Sequence, residues 1–208
     1  MGMKRKRQLS SVIFHAGACI LGFFMIYPLL WLLASSFKSN ETMFTNTYSL
    51  LPEVWDAAKN YASGFAGIGG VAFSTFFMNS MVVTVVGTIT CVLSSLLAAY
   101  TFSRLKFRFS NFWFGCVMMT MMILAQVMVV PQYIILKKIH LIDTRVALIL
   151  PWCFGGAFFI FLMVQFFQGI PKELDEAAEI DGCGKIQTLV RVLIPIVRPA
   201  IITSSIFA

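Results

Sequence analysis

The chain has 208 residues, of which 59% are hydrophobic and only 12% are charged. An average soluble domain is about 45–50% apolar and about 25% charged, so a soluble protein of this size would lack the polar residues to cover its surface. Intrinsic disorder is excluded as well, since disordered chains are poor in apolar residues and rich in charge. The composition therefore indicates an integral membrane protein. The net charge is +7. The basic residues lie between the apolar runs, so they are better explained as determinants of membrane topology than as a nucleic-acid-binding surface.

Long uncharged runs divide the chain into segments of membrane length. A spanning helix needs about 20 mostly apolar residues. Because residues 63–70 are too rich in glycine for a helix interior, we start the second span after them. The predicted spans are 12–35, 74–103, 110–136, 146–168 and an incomplete fifth at 198–208. The fifth reaches about half a crossing, so we expect the sequence to be a piece of a chain that completes this span.

The distribution of Lys and Arg predicts the orientation of these spans. Eleven of the 16 basic residues lie in the N-terminal tail, the loop after the second span and the segment after the fourth. The positive-inside rule places these parts in the cytoplasm. The sequence thus predicts a basic cytoplasmic tail at 1–11 and an external loop at 36–73. A cleaved signal peptide is the alternative, but the apolar stretch from Val12 to Ala34 exceeds the usual length of about 7–15 residues.

A cytoplasmic segment at 169–197 holds most of the acidic residues. Five of the nine acidic side chains fall within positions 173–181. Pro171 suits the start of a helix and Gly182 its end, and carboxylates in the first turns favour the helix dipole. We predict a short helix here, followed by an amphipathic one on Ile186, Leu189, Val190, Leu193, Ile194 and Val197. Pro195 and Pro199 should bend or break the chain before the next crossing. The alternative is a solvated acidic loop.

The run Glu176-Ala177-Ala178-x-x-Asp181-Gly182, followed by Ile194-Pro195 and Pro199, resembles the EAA motif of ABC importer permeases. The segments around it resemble the maltose-type carbohydrate permeases of the same family, in the same order. These segments are Tyr27–Trp31, Ser36-Phe37-Lys38, Asn79-Ser80, Leu97–Tyr100, Met119–Ile123, Gln126-Val127, Pro131, Ala147–Pro151 and Gln165–Leu174. The resemblance covers the chain from about residue 25 onward.

The resemblance implies an all-α, MetI-like bundle, the ABC transmembrane type-1 domain, at 74–208. This domain normally completes six spans, of which five are seen here. It also implies that 169–197 carries the coupling helix that docks on a cytoplasmic ATPase. The implied contact residues are Leu174, Glu176, Ala177, Ala178, Asp181 and Gly182. The implied partners are ATP-binding subunits, a second homologous permease, an external solute-binding protein and the bilayer of a prokaryotic inner membrane.

No motif of the chain itself indicates an enzyme, a cofactor or a metal site. The phosphate-loop pattern fails around Gly184-Lys185, where Ile186 follows and Glu179 replaces the first glycine. ATP hydrolysis is therefore expected on a partner subunit. Polar residues inside the apolar runs are candidates for the solute path, namely Asn79, Gln126, Gln132 and Gln165. The alternative for each is a hydrogen bond between helices.

Three functions remain open from the sequence. The first is the membrane-spanning subunit of an ATP-driven carbohydrate importer. The second is a related permease for another solute, such as an amino acid, phosphate or a polyamine. The third is a membrane scaffold that does not transport and recruits a cytosolic partner through its acidic segment.

Overall fold

The computed structural model describes residues 2–39, Met43, Ser49 and 55–208, with side chains described from Ser11 onward. Parts of the predicted external loop, at 40–42, 44–48 and 50–54, lie outside the described residues. Within those residues the regular structure is helical, apart from two isolated bridges between Lys38 and Trp55 and between Ile68 and Val71. The predicted all-α fold class is confirmed.

Ten α-helices and one 3₁₀ helix form the described chain. They are α1 Gly2–Ser35, α2 Ala57–Ala66, α3 Phe73–Arg104, α4 Ser110–Met121, α5 Ala125–Lys138, α6 Arg145–Ile149, the 3₁₀ helix Leu150–Phe154, α7 Ala157–Gln168, α8 Glu173–Ile180, α9 Lys185–Ile196 and α10 Arg198–Phe207. Residues Thr188–Leu193 within α9 are π-helical.

Three stretches are long and apolar enough to cross a membrane as single spans, namely Ser11–Ser35, Phe73–Arg104 and Arg145–Gln168. Two further spans arise if the bent pairs α4–α5 and α9–α10 are each counted as one. The helices of these pairs meet at 102° and 77°, respectively. The described residues therefore contain three to five spans, and the segment predicted as a third crossing at 110–136 has a sharp break after Met121.

The chain divides into two compact units, Met1–Phe76 and Phe77–Ala208. In the first unit, α2 folds back on the end of α1. The Asn60 side-chain amide donates hydrogen bonds to the Ser36 and Lys38 carbonyl oxygens, at 3.1 and 2.7 Å. The hydroxyls of Ser36 and Tyr61 lie 3.1 Å apart. The two Asn60 bonds satisfy carbonyl groups of the turn that follows α1.

The core of the second unit lies where α3, α7 and α9 meet. Its buried side chains come from the C-terminal half of α3, from α7 and from the π-helical part of α9. Tyr100 and Phe167 pack edge to face with ring centroids 6.2 Å apart, and Leu193 is fully buried. All three elements end or begin next to α8, so the best-packed part of the unit directly supports that helix.

The span that ends in α7 is interrupted by the 3₁₀ helix and two glycines. Gly155 has a φ of +80°, a value that side chains with a Cβ rarely adopt. The Gly156 N–H donates to the Ser95 hydroxyl on α3 at 3.1 Å. Inside a bilayer a broken helix must have its backbone groups satisfied within the protein, and Ser95 fulfils that need here.

Replacing Gly155 with Ala is expected to destabilise the fold by about 1–3 kcal/mol, because a φ of +80° with a ψ of 160° lies in a region that essentially only glycine adopts. The added Cβ would also lie only 3.0 Å from the Ser95 hydroxyl. Gly115→Ala on α4 is the matched control, because no atom lies within 4 Å of that Cβ and helical Gly→Ala changes stabilise by up to about 1 kcal/mol. Thermal unfolding of the detergent-solubilised protein measures both. Equal midpoints would contradict the prediction.

Candidate functional site

The predicted acidic helix is α8. It begins at Glu173 and carries Glu173, Asp175 and Glu176 in its first turn. The N–H groups of Asp175 and Glu176 both donate to the Lys172 carbonyl, at 2.9 and 3.2 Å. Carboxylates at this end of a helix interact favourably with the partial positive charge of its free N–H groups.

Gly182 ends α8 in a Schellman motif. The Gly182 N–H donates to the Glu179 carbonyl at 3.1 Å, and the Cys183 N–H donates to the Ala178 carbonyl at 2.9 Å. Gly182 has a φ of +80°, the left-handed conformation that this motif requires and that glycine adopts without strain. The Asp181-Gly182 pair thus determines where α8 ends and how the chain turns toward α9.

Replacing Gly182 with Val is expected to open this turn, because a β-branched residue at positive φ is strained. A cost of about 1–2 kcal/mol corresponds to amide exchange at Cys183 that is about 5- to 30-fold faster. Gly182→Asn is the control, since Asn tolerates the left-handed region and no atom lies within 4 Å of the added Cβ. Hydrogen–deuterium exchange of the segment checks both, and equal rates in the two variants would refute the strain argument.

The predicted contact residues do not all face outward. Leu174, Glu176, Ala177, Asp181 and Gly182 are exposed, whereas Ala178 is only 6% exposed and packs against the unit itself. Successive residues of a helix lie about 100° apart, so Ala177 and Ala178 belong to different faces.

An exposed apolar residue that the motif does not include lies on the same surface as the acidic residues. Ile180 is 87% exposed, and Ile186, just past the turn, is exposed as well. The exposed surface of α8 and of the turn after it, which we call the α8 surface, is therefore apolar at Ile180 and Ile186 and acidic around them. This surface combines carboxylates with two exposed isoleucines, so it offers a partner both charged and apolar contacts.

Arg104, the last residue of α3, joins α8 to α7. One terminal nitrogen, Nη1, lies 3.0 Å from the Asp175 carboxylate. The other, Nη2, donates to the carbonyl oxygens of Phe167 and Ile170 at 2.9 and 2.8 Å. The Arg104 side chain is 5% exposed and that of Asp175 26%. From the sequence, Arg104 served only as one of the basic residues that predict membrane orientation. The one local sign of a structural role was its position at the end of an apolar run that includes Tyr100.

The other end of the turn is held by Tyr100, one helical turn before Arg104. Its hydroxyl donates to the Lys185 carbonyl at 2.9 Å. Leu189 and Leu193 on α9 point into the core, whereas Ile186 and Val190 are exposed. The predicted amphipathic stripe is thus only partly buried. The predicted bend before the next crossing is confirmed: α9 ends at Ile196, one residue after Pro195, and meets α10 at 77°.

The four polar residues predicted for a solute path lie on three separate elements. Asn79 on α3 lines a cavity of about 580 Å³ together with Ser80, Thr84, Asp143 and Arg145. Gln165 on α7 lines a second cavity of about 400 Å³, near the start of the acidic segment. Gln126 and Gln132 are exposed on α5. The structure therefore does not gather the four into one site.

These features define a helical membrane protein with several spans and a short acidic helix presented between two of them. Residues 91–208 match the family described as binding-protein-dependent transport system inner membrane component. The chain belongs to this family.

Three curated relatives illustrate the similarity. The probable ABC transporter permease protein YurM of Bacillus subtilis is 35% identical over 86% of this chain and 58% of its own length. The diacetylchitobiose uptake system permease protein NgcG of Streptomyces coelicolor is 31% identical over 95% of this chain and 64% of its own. The arabinooligosaccharides transport system permease protein AraQ of Halalkalibacterium halodurans is 28% identical over 98% and 73%, respectively. The chain spans less than two thirds of the length of the first two relatives.

A solved structure shares the fold. It is the crystal structure of a bacterial ABC transporter involved in the import of the acidic polysaccharide alginate, with a TM-score of 0.84. The two chains are 24% identical, and the match covers 98% of this chain and 70% of the other. The MetI-like helical bundle expected from the EAA motif is confirmed.

Proposed function

We propose that this chain is the membrane-spanning subunit of an ATP-driven importer for a carbohydrate. The observation that carries the proposal is the α8 surface, which is exposed, acidic and held through Arg104 against two spanning helices. Such a surface offers a rigid contact to a cytoplasmic subunit, and its attachment to α3 and α7 lets a movement of that subunit reach the bilayer.

The contact with the ATP-binding subunit is proposed to involve Leu174, Glu176, Ala177, Asp181 and Gly182, all of which are exposed. Ala178 supports this contact indirectly: it is buried, and its small side chain lets α8 pack closely on the rest of its own unit. ATP hydrolysis belongs to the partner, and this chain supplies the path and the mechanical connection.

The proposed orientation follows from the same assignment. With α8 in the cytoplasm and the bent pair α4–α5 counted as one span, the basic tail at 1–11 also lies in the cytoplasm and the segment 36–73 faces outward, as the positive-inside rule predicts. The remaining partners are a second permease that completes the path and an external solute-binding protein that delivers the solute.

Support for a carbohydrate comes from the names of two relatives, which specify diacetylchitobiose and arabinooligosaccharides. The cavity at Asn79 fits that chemistry, because amide, hydroxyl and charged side chains hydrogen-bond sugar hydroxyls. We propose Asn79 as an outer residue of the path and Gln165 as an inner one, while Gln126 and Gln132 are proposed to face the path from α5.

The test is ATP hydrolysis by the assembled transporter in proteoliposomes, measured against a panel of disaccharides and oligosaccharides with the cognate binding protein present. A carbohydrate importer is expected to hydrolyse ATP faster with one member of the panel. Stimulation only by an amino acid, phosphate or a polyamine would replace the solute class. Turnover that no solute changes, in an active complex, would favour a membrane scaffold.

A further inference from the structure

The end of α3 holds both sides of the α8 segment. Arg104 bonds the end of α7 and α8, and Tyr100, four residues earlier, bonds the first residue of α9. We call the Arg104–Asp175 ion pair, together with the two carbonyl bonds of Arg104, the α3 latch. We propose that Arg104 is a positioning residue that makes α8 move with α3 and α7 as one body. The proposal deepens, and rests on, the assignment of α8 as the ATPase contact.

The geometry of Arg104 suits this role better than simple charge neutralisation. A planar guanidinium can donate in several fixed directions, so one side chain connects two elements and restricts their relative rotation. Its bonds are charge-assisted, with donor–acceptor distances of 2.8–3.0 Å, and burial strengthens them because water competes little. A lysine at this position would keep the positive charge but would lose the planar group that donates in several fixed directions.

Phe167 and Ile170 show why the latch involves α7. The Phe167 carbonyl lies in the last turn of α7 and Ile170 lies two residues past its end; the Ile170 N–H donates to the Phe167 carbonyl at 3.1 Å, so both belong to the turn that closes α7. Arg104 occupies this end, which is also where the helix dipole favours a cation. The same side chain therefore completes the end of a span and anchors the helix that follows it.

The two halves of the latch are separable by substitution. Asp175→Asn removes the ion pair with α8 and leaves the two carbonyl bonds intact, whereas Arg104→Gln removes all three interactions. Arg108→Gln is the matched control: it is the same change on the loop after α3, at an exposed residue whose guanidinium lies 5.0 Å above the Phe109 ring.

The experiment measures the distance between spin labels at Lys172 and Val86 in the assembled transporter, in a background without the five native cysteines. Lys172 adjoins α8, and Val86 lies about 27 Å along α3 from Arg104. Both are exposed. Distances are recorded without nucleotide and after trapping with ATP and vanadate. With an intact latch, one narrow distance distribution is expected, unchanged by trapping, in the unsubstituted and Arg108→Gln proteins.

Asp175→Asn and Arg104→Gln are each expected to increase about tenfold the population of a second distance, in which α8 is detached from α3. An increase of this size is in the range by which mutations along a coupling network act. The double variant should be no worse than Arg104→Gln alone, because both act through one contact. Distributions that match the unsubstituted protein, or effects that multiply in the double variant, would overturn the proposal.

Co-purification of the ATP-binding subunit on the same samples separates the two proposals. It is expected to persist in Asp175→Asn, whose side chain faces Arg104 rather than the α8 surface. If no ATPase accompanies even the unsubstituted subunit, the proposed function fails, while the distances without nucleotide still decide whether the latch exists.

Discussion

Glu176→Lys is expected to release the ATP-binding subunit from the complex. Glu176 is exposed on α8, and within the part of the chain that the structure describes its carboxylate takes part in no ion pair. Its charge is therefore available to a partner. Reversing that charge places like charges together at the interface, a change that costs several kcal/mol, so the affinity for the ATPase should fall about 100-fold.

The control for Glu176→Lys is Asp143→Lys. Asp143 is also exposed, but it lies just before the span Arg145–Gln168, whereas α8 follows that span. Asp143→Lys therefore makes the same change of charge as Glu176→Lys, but at the opposite end of that span. Quantitative co-purification measures both variants, with membrane insertion verified for each. Equal loss in the two variants, or full retention in both, would contradict a specific contact at Glu176.

Phe167→Ala is expected to have the largest effect on stability. Phe167 is fully buried in the core between α3 and α7 and packs on Tyr100. Its carbonyl also belongs to the α3 latch. Truncating a buried phenylalanine typically costs about 3–5 kcal/mol, because a cavity replaces its contacts.

Phe166→Ala is the neighbouring control for that prediction. Phe166 is 41% exposed, so its loss should cost about 1–2 kcal/mol, the share of a full burial that it makes. The thermal unfolding midpoint of the complex measures both substitutions. A midpoint for Phe166→Ala that falls as far as that for Phe167→Ala would show that the core is not where the structure places it.

The acidic segment could be predicted because its signals are local. Pro171, the carboxylates of the first turn and Gly182 indicated a short helix with defined ends, and α8 runs from Glu173 to Ile180 with Gly182 in the left-handed conformation. The EAA pattern then identified the family. Each of these signals is a property of neighbouring residues and needs no knowledge of the tertiary structure.

Long-range contacts could not be predicted in this way. Nothing local pairs Arg104 with Asp175, or directs Ala178 inward and Ala177 outward. The break between α4 and α5 falls at Met122–Leu124, where neither proline nor glycine marks it. The bend between α9 and α10 lies between Pro195 and Pro199, as predicted, but the π-helical turn before Pro195 was not expected, because periodicity does not reveal a change of hydrogen-bond register.

The proposed function rests on a contact between the α8 surface and the ATP-binding subunit. The most direct test places a photoreactive residue at Ala177, which is exposed on that surface, and irradiates the assembled, transporting complex. Leu148, exposed at the far end of the span that precedes α8, carries the probe in the control. We expect a covalent adduct with the ATP-binding subunit from Ala177 and none from Leu148. An active complex with no adduct from Ala177, or equal adducts from both positions, would contradict it.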